Sequence, residues 1–148
     1  MKRIVCIKWK GVLMLVIGAL CVSRCNVPVA MQERALEGAW QTDSIQNIVN
    51  GFSYTNNSFD EHWSTFEYHA DGVLTERKKD KFRNYRYQLP AKDSLVYTDS
   101  LGNHMSAFRI LRLDSRQLVL KKAQKPYLPG KNQVLFEVRF FSRINKEK

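Results

Sequence analysis

The sequence has almost no cysteine where a folded domain would use it. It contains three cysteines, and Cys6, Cys21 and Cys25 all lie within the first 25 residues. The chain after Cys25 therefore forms no internal disulfide and offers no cysteine nucleophile. A domain of about 120 residues can bury enough apolar surface to fold without such cross-links. We expect a domain that is held together by its core.

Sequence motifs for catalysis are missing as well. The chain has no Gly-x-Ser-x-Gly elbow and no glycine-rich phosphate loop. Its 14 acidic residues are scattered and suggest no carboxylate dyad. The three histidines, His62, His69 and His104, contain no tight pair of the kind from which a zinc site with three or four converging ligands is built. We predict that the protein is not an enzyme and holds neither a cofactor nor a metal.

Long hydrophobic runs are also scarce. The longest covers residues 11–22, whereas about 20 apolar residues are needed to span a bilayer. It follows a basic lead of Lys2, Arg3, Lys8 and Lys10. A short apolar run behind a basic lead is typical of a secretory signal peptide, and a retained membrane anchor is the alternative. We predict an export segment over residues 1–25, a linker over 26–35 and a folded domain over 36–148.

Cys25 closes the export segment in the sequence Val-Ser-Arg-Cys-Asn. This segment resembles the lipobox of bacterial lipoproteins, in which the cysteine becomes the lipidated N-terminus. Val22 and Ser23 fit the pattern, whereas Arg24 stands where the pattern has Gly, Ala or Ser. The resemblance implies lipidation of Cys25 and a domain held in the cell envelope, at the outer membrane or in the periplasm, by its acyl chains. Ordinary cleavage after Ser23 or Ala30 is the alternative.

The net charge of +10 overstates how basic the domain is. Five of the 24 basic residues and none of the 14 acidic residues lie in the first 25 positions, which leaves +5 for the rest of the chain. A mildly basic, exported domain gives no reason to expect a nucleic-acid partner.

The most basic part of the domain is residues 77–87, where lysines and arginines alternate with aromatic residues. Such a segment could bind an anionic polymer, lipopolysaccharide or acidic lipid headgroups. We favour an ordinary half-buried hairpin whose lysines discourage edge pairing. In that arrangement the aromatic side chains point inward and the charges point outward.

The domain shows β-rich runs separated by turn residues and almost no helical periodicity. Eight strands are predicted, over residues 38–45, 62–69, 73–77, 82–89, 94–98, 105–113, 118–122 and 133–144. Residues 46–58 are predicted as a long loop or one irregular helical turn. In the last run one stripe is formed by Val134, Phe136, Val138 and Phe140. Short connections predict antiparallel neighbours, and eight strands can close into an up-and-down barrel.

The order of these elements is similar to that of lipocalin-like domains of bacterial exported proteins. Leu-Glu-Gly-Ala-Trp, residues 36–40, resembles the Gly-x-Trp motif at the start of the first lipocalin strand. Similar hairpins and a similar central strand occur at residues 66–74, 85–89 and 110–120. The resemblance covers residues 36–144 and implies an all-β, antiparallel, eight-stranded barrel. It also implies that Trp40 plugs one end, that Gly38 lets the chain cross beneath it, and that Arg143, or Arg139 as second choice, covers its ring.

The resemblance further implies a function. We expect an exported, lipid-anchored barrel that binds a small hydrophobic or amphipathic ligand. Candidate interior residues for that ligand are Phe66, Tyr68, Tyr85, Tyr87, Tyr97 and Phe108. The alternative is a solid barrel that serves as a protein-interaction module in a cell-envelope or secretion assembly. The expected partners are thus a small apolar ligand, a membrane reached through the anchor, and an envelope protein.

Overall fold

The computed structural model describes residues 29–57, 63–128 and 132–145. They form one helix, α1 (Val29–Leu36), and nine strands, β1 (Gly38–Val49), β2 (Phe52–Asn57), β3 (Thr65–Tyr68), β4 (Val73–Lys78), β5 (Lys81–Ala91), β6 (Ser94–Thr98), β7 (His104–Leu113), β8 (Gln117–Ala123) and β9 (Leu135–Arg143). The described part of the chain contains no helix that is long and apolar enough to cross a membrane. The predicted export segment, with Cys25, lies outside the described residues.

Strands β1 and β3 to β9 form an eight-stranded antiparallel barrel in which each strand pairs with its neighbours along the chain. The barrel closes where β1 pairs with β9, from Trp40 opposite Arg143 to Val49 opposite Leu135. The predicted all-β, up-and-down, eight-stranded barrel is confirmed. Because the strands alternate in direction, every second connection lies at the same end of the barrel.

Strand β2 is a ninth strand that the sequence analysis missed. Residues 46–57 of the stretch predicted as a loop or helical turn instead complete β1 and return as β2. The turn consists of Asn50 and Gly51, both with positive φ (50° and 90°). A tight hairpin turn needs positive φ at both central residues, and Asn-Gly supplies it. Since β9 occupies one edge of β1, β2 and β3 share the other, one after the other.

A bulge at Asp43 decides which side chains of β1 enter the barrel, whereas β9 alternates opposite it without interruption. Thr42 lies opposite Phe141, but Ser44 lies opposite Phe140, so Asp43 is an extra residue on β1. It stays outside and accepts a hydrogen bond from Ser142 Oγ at 2.8 Å. After the bulge, β1 resumes its alternation with its inward positions shifted by one residue.

On β9 the inward face differs from the stripe that the sequence suggests. Phe141 belongs to the core cluster, and Arg139, two residues earlier, lines cavities of the barrel. The stripe of Val134, Phe136, Val138 and Phe140 therefore faces away from the barrel interior, although Val138 is buried. Consistent with this, the Lys121 ammonium lies 3.6 Å from the centre of the Phe136 ring on the outer surface.

Helix α1 covers one end of the barrel, which we call the closed end. It occupies much of the stretch predicted as a linker, and its last residue, Leu36, is fully buried. The turns β3–β4, β5–β6 and β7–β8 lie at this end. The opposite end, called the open end, carries the connections β1–β2, β4–β5, β6–β7 and β8–β9.

Candidate functional site

The closed end is sealed by three residues that the sequence analysis assigned to barrel closure. Trp40 is fully buried and donates from Nε1 to the carbonyl oxygen of Leu36 at 2.8 Å. The guanidinium carbon of Arg143 lies 4.2 Å from the centre of the Trp40 ring, within range of a cation–π contact. Arg143 Nη1 also donates to the carbonyl oxygen of Glu37 at 2.6 Å, and burial lowers the pKa of this arginine.

Gly38 is required where the chain passes beneath that arginine. Its φ is +111°, a conformation that other residues rarely adopt. A Cβ atom at this position would lie 2.8 Å from Arg143 Nη1. Gly38, Trp40 and Arg143 therefore form one packed unit at this end.

Above this seal an aromatic layer fills the centre of the barrel. The ring centres of Tyr68 and Tyr87 are 5.1 Å apart, and those of Tyr97 and Phe108 are 4.9 Å apart. The hydroxyl groups of Tyr68 and Tyr97 hydrogen bond to each other. Burial raises the pKa of both phenols, and it raises the pKa of Tyr87 to about 12. This layer forms a floor beneath the space that lies toward the open end.

Two adjoining cavities lie between this floor and the open end. The first has a volume of about 270 Å³ and is lined by Thr42, Ile45, Trp63, Ser64, Phe66, Glu76, Lys78 and Arg139. The second has a volume of about 210 Å³ and is lined by Phe66, Glu76, Tyr85, Tyr97, Met105, Ser106, Phe108 and Arg139. The walls common to both are Phe66, Glu76 and Arg139. Since a water molecule takes about 30 Å³ of liquid volume, each cavity has room for a small molecule.

A third space, of about 580 Å³, lies at the mouth of the barrel. It is lined by Ser64, Glu76, Lys78, Lys79, Asp80, Lys81 and Arg83. Four of these seven side chains are basic and two are acidic, so the mouth carries net positive charge. Glu76 borders this space and both deeper cavities.

Glu76 is held in place by hydroxyl groups on two sides. Its Oε1 accepts a hydrogen bond from Ser64 Oγ at 2.7 Å, and its Oε2 accepts one from the Tyr85 hydroxyl at 3.0 Å. Burial raises the pKa of Tyr85, the bond to Glu76 adds to that shift, and Arg83 opposes it. Both carboxylate oxygens therefore have fixed partners in the wall of the cavity.

Arg139 provides positive charge inside the barrel. Its Nε pairs with Glu137, whose other carboxylate oxygen accepts a hydrogen bond from Gln124 Nε2 at 2.6 Å. The guanidinium carbon of Arg139 lies 5.5 Å from the centre of the Phe108 ring. Lys122 approaches the same ring from β8, where its Nζ donates to Ser106 Oγ at 2.9 Å. Two cationic groups thus stand over an aromatic floor.

The six predicted interior residues all lie inside the barrel, but they have different surroundings. Phe66, Tyr85, Tyr97 and Phe108 line a cavity. Tyr68 and Tyr87 belong to the packed layer below.

The polar wall was missed by the sequence analysis. On β4, Glu76 follows the buried Leu74 by two residues and therefore lies on the same face of the strand. This spacing is visible in the sequence. Arg139 could not be found in this way, because the alternation of apolar residues along β9 marks the other face of that strand.

The predicted arrangement of the basic segment is wrong in its first half. Tyr85 and Tyr87 point inward, but so do Lys81 and Arg83, which line the mouth. Phe82 points outward and is 69% exposed. The mouth of the barrel is lined by charged side chains, so alternation along this part of β5 does not separate apolar from charged residues.

The two histidines that the structure describes, His69 and His104, do not converge. His69 lies near the closed end, where its Nε2 is 3.3 Å from Thr75 Oγ1, and His104 begins β7 at the open end. His62 lies outside the described residues. Among residues 29–57, 63–128 and 132–145 no group of three or more histidine, cysteine or acidic side chains could hold a metal ion.

In comparisons with known proteins, no protein-family model, no curated protein and no solved structure matches the chain.

Proposed function

We propose that this protein is an exported, lipid-anchored, lipocalin-like barrel that binds a small amphipathic molecule. The observation that carries the proposal is the pair of adjoining cavities above a sealed aromatic floor. Ligand sites in proteins are typically apolar clefts with a few well-placed polar groups. Here Phe66 and Phe108 offer the apolar surface, while Glu76 and Arg139 offer the polar contacts.

The cavity walls favour a ligand with an anionic head. Arg139 stands between the two cavities, and Lys78 lies at the edge of the first. A carboxylate, sulfate or phosphate group would make charge-assisted hydrogen bonds to these side chains. Each cavity is smaller than the ~300–1,000 Å³ typical of drug-sized ligands, so the ligand should be small.

Binding rather than catalysis suits this wall. Glu76 has both carboxylate oxygens occupied by hydrogen bonds, and the Arg139 Nε pairs with Glu137.

The lipid anchor is supported by the lipobox-like sequence at Cys25. The first described element, α1, lies at the closed end, opposite the mouth.

Titration with an anionic, amphipathic fluorescent probe tests this site. We expect 1-anilinonaphthalene-8-sulfonate to bind the native protein and Arg139→Gln to weaken its affinity about tenfold or more, since a charge-assisted hydrogen bond is lost. The control is Arg109→Gln, which removes a largely exposed arginine paired with Asp93. Ser106→Trp, which would fill the second cavity, should also weaken binding. Equal affinity in all these variants would refute the site.

Intact mass spectrometry tests export and anchoring. The protein purified from its own membranes should have the mass of a chain that begins at a lipidated Cys25, and denaturation should release a small amphipathic compound. An unmodified chain that begins elsewhere would remove the anchor from the proposal.

One observation favours the alternative of a protein-interaction module. The centre of the barrel is filled, and all residues of β2 whose burial the structure describes are exposed, including Phe52 at 82%. Such a strand is a template for pairing with another chain. A native protein that releases nothing on denaturation and binds no probe would favour this second function.

A further inference from the structure

The exposed apolar side chains of this protein are concentrated at one end. Among the described residues, ten large hydrophobic side chains are exposed. Eight of them belong to the open half of the barrel, namely Phe52, Tyr54, Phe82, Leu101, Met105, Tyr127, Leu128 and Val134. Only Leu111 and Ile144 lie toward the closed end. Single exposed apolar residues are common on protein surfaces, but a concentration of them marks a surface for interaction with a protein or a membrane.

Every open-end connection contributes to this apolar rim. Phe52 follows the β1–β2 turn, Phe82 follows the β4–β5 turn, Leu101 lies in the β6–β7 turn and is 85% exposed, and Tyr127 lies in the β8–β9 connection. Two of the connections are tied together. Asn50 donates its backbone N–H to the Val134 carbonyl at 2.9 Å, and its side-chain oxygen accepts from Val134 N at 2.9 Å.

The same rim is positively charged. Its exposed basic residues are Lys78, Lys79, Lys81, Arg83 and Lys125, against the acidic residues Asp80 and Asp99. Asp99 serves its own turn, because it accepts hydrogen bonds from the backbone of Leu101 and Asn103 and from the Asn103 side chain. Those bonds hold the pKa of its carboxyl below the usual range.

We propose that the open end docks on an anionic lipid bilayer. The apolar tips would enter the interfacial region of the bilayer, while the lysines and Arg83 meet the anionic headgroups. Amphipathic elements that lie on membranes combine exposed apolar residues with basic ones in this way. The apolar tips come from four separate connections, and the exposed basic residues lie at two of them, β4–β5 and β8–β9. A fluid anionic surface can match this arrangement without a partner of defined shape.

Docking in this orientation would bring the mouth of the cavities onto the bilayer. The chain before Val29 joins the molecule at the opposite, closed end through α1. Docking by the rim is therefore distinguishable from attachment through the N-terminal segment. It is also independent of the proposed ligand, because the rim residues are not the walls of the two deeper cavities, apart from Lys78 and Met105.

Site-resolved hydrogen exchange on the full chain tests the docking. The protein is mixed with vesicles of phosphatidylcholine alone or of phosphatidylcholine with phosphatidylglycerol. We expect slower exchange over residues 50–52, 79–82, 99–105 and 124–128 with the anionic vesicles only, and unchanged exchange over the closed-end turns 70–72 and 114–116. High salt should reverse the protection, since it screens the headgroups.

Matched variants separate the rim from attachment elsewhere. The double variant Phe82→Ser, Leu101→Ser should abolish the protection over residues 50–52 and 124–128. These two segments keep their native sequence in the variant, so the loss would report on docking and not on a local substitution. Leu111→Ser, at a position 51% exposed toward the closed end, should leave that protection intact.

Several outcomes would overturn the docking proposal. They are vesicle-bound protein without protection at the open end, protection at the closed end instead, and an equal effect of the rim and control variants. Protection of the rim by an added envelope protein, but by neither vesicle, would equally overturn it. The probe titration of the Arg139 variant reports on the cavity separately, so either proposal can fail alone.

Discussion

At the scale of single residues, the closed end depends on a stack of Trp40 and Arg143 over Gly38. The indole is fully buried and its N–H is satisfied by Leu36. We expect Trp40→Ala to lower the free energy of unfolding by about 3–5 kcal/mol, because it removes a large buried side chain and leaves a cavity. Urea unfolding measures this, with Phe82→Ala as the exposed control. An unchanged midpoint would refute the role of Trp40 as a plug.

Gly38 and Gly51 offer a matched pair for measuring the cost of close approach. Both have positive φ, but a Cβ at Gly38 meets Arg143 Nη1, whereas a Cβ at Gly51 has nothing within 4 Å. Gly51→Ala should cost about 1–2 kcal/mol through backbone strain alone. Gly38→Ala should cost about 1 kcal/mol more, since the guanidinium must move away from its carbonyl partner. Equal costs in urea unfolding would show that the Arg143 contact contributes nothing.

The buried tyrosines predict a loss of stability at alkaline pH. Burial raises the pKa of Tyr87 to about 12 and also raises those of Tyr68 and Tyr97, while unfolded tyrosine titrates near 10. The unfolded state therefore loses these protons first. The stabilising contribution is complete below about pH 10 and is lost as the pH rises through about 12.

Urea unfolding at a series of pH values between about 8 and 11.5 measures this loss. Tyr87→Phe should reduce the slope, because one titrating group is removed. Tyr127→Phe, at an exposed position, should leave the slope unchanged. A stability that stays flat across this range would contradict the burial of the three phenols.

At the scale of elements, α1 depends on the barrel for its stability. It has only eight residues, and isolated helices shorter than about 12–15 residues are marginal in water. It is fixed by Leu36, which is fully buried in the core cluster. Leu36→Ala should therefore cost about 2–5 kcal/mol, whereas Arg34→Ala on the exposed face should cost little. A small effect of Leu36→Ala on urea unfolding would mean that α1 is not part of the cooperative unit.

The strands show which features of the fold can be predicted from the periodicity of the sequence and which cannot. The predicted bounds of β6 agree with the structure, and those of β4, β7 and β8 differ by a residue at one or both ends. Strand β2 was missed because polar composition was given more weight than the Asn-Gly pair at positions 50 and 51. The apolar stripe of β9 has a different meaning. The face turned to the interior carries Arg139 and Arg143 beside Phe141, so the alternation of apolar residues along β9 marks the other face and does not reveal the inward one.

At the scale of the whole molecule, the ladder between β1 and β9 closes the barrel by joining residues about a hundred positions apart. Strand β2 pairs, within the described residues, with β1 alone. Native-state hydrogen exchange should therefore find the amides shared by β1 and β9 among the slowest and those of β2 among the fastest. Hydrogen bonds at an exposed edge break in local openings, whereas those of the ladder between β1 and β9 break only when the core unfolds. Equally slow exchange in β2 would mean that it is covered.

The class of fold could be predicted from the sequence. Alternating runs and turn residues predict eight antiparallel strands, because these signals are local and each strand connects to its neighbour by a short turn. The resemblance of residues 36–40 to the Gly-x-Trp motif implies which end is sealed. The chemistry of the interior depends on tertiary contacts. The bulge sets which side chains of β1 point inward, and closure of the barrel places Glu76 of β4 and Arg139 of β9 around one space. Those positions are fixed by pairing between distant parts of the chain, which no window of sequence contains.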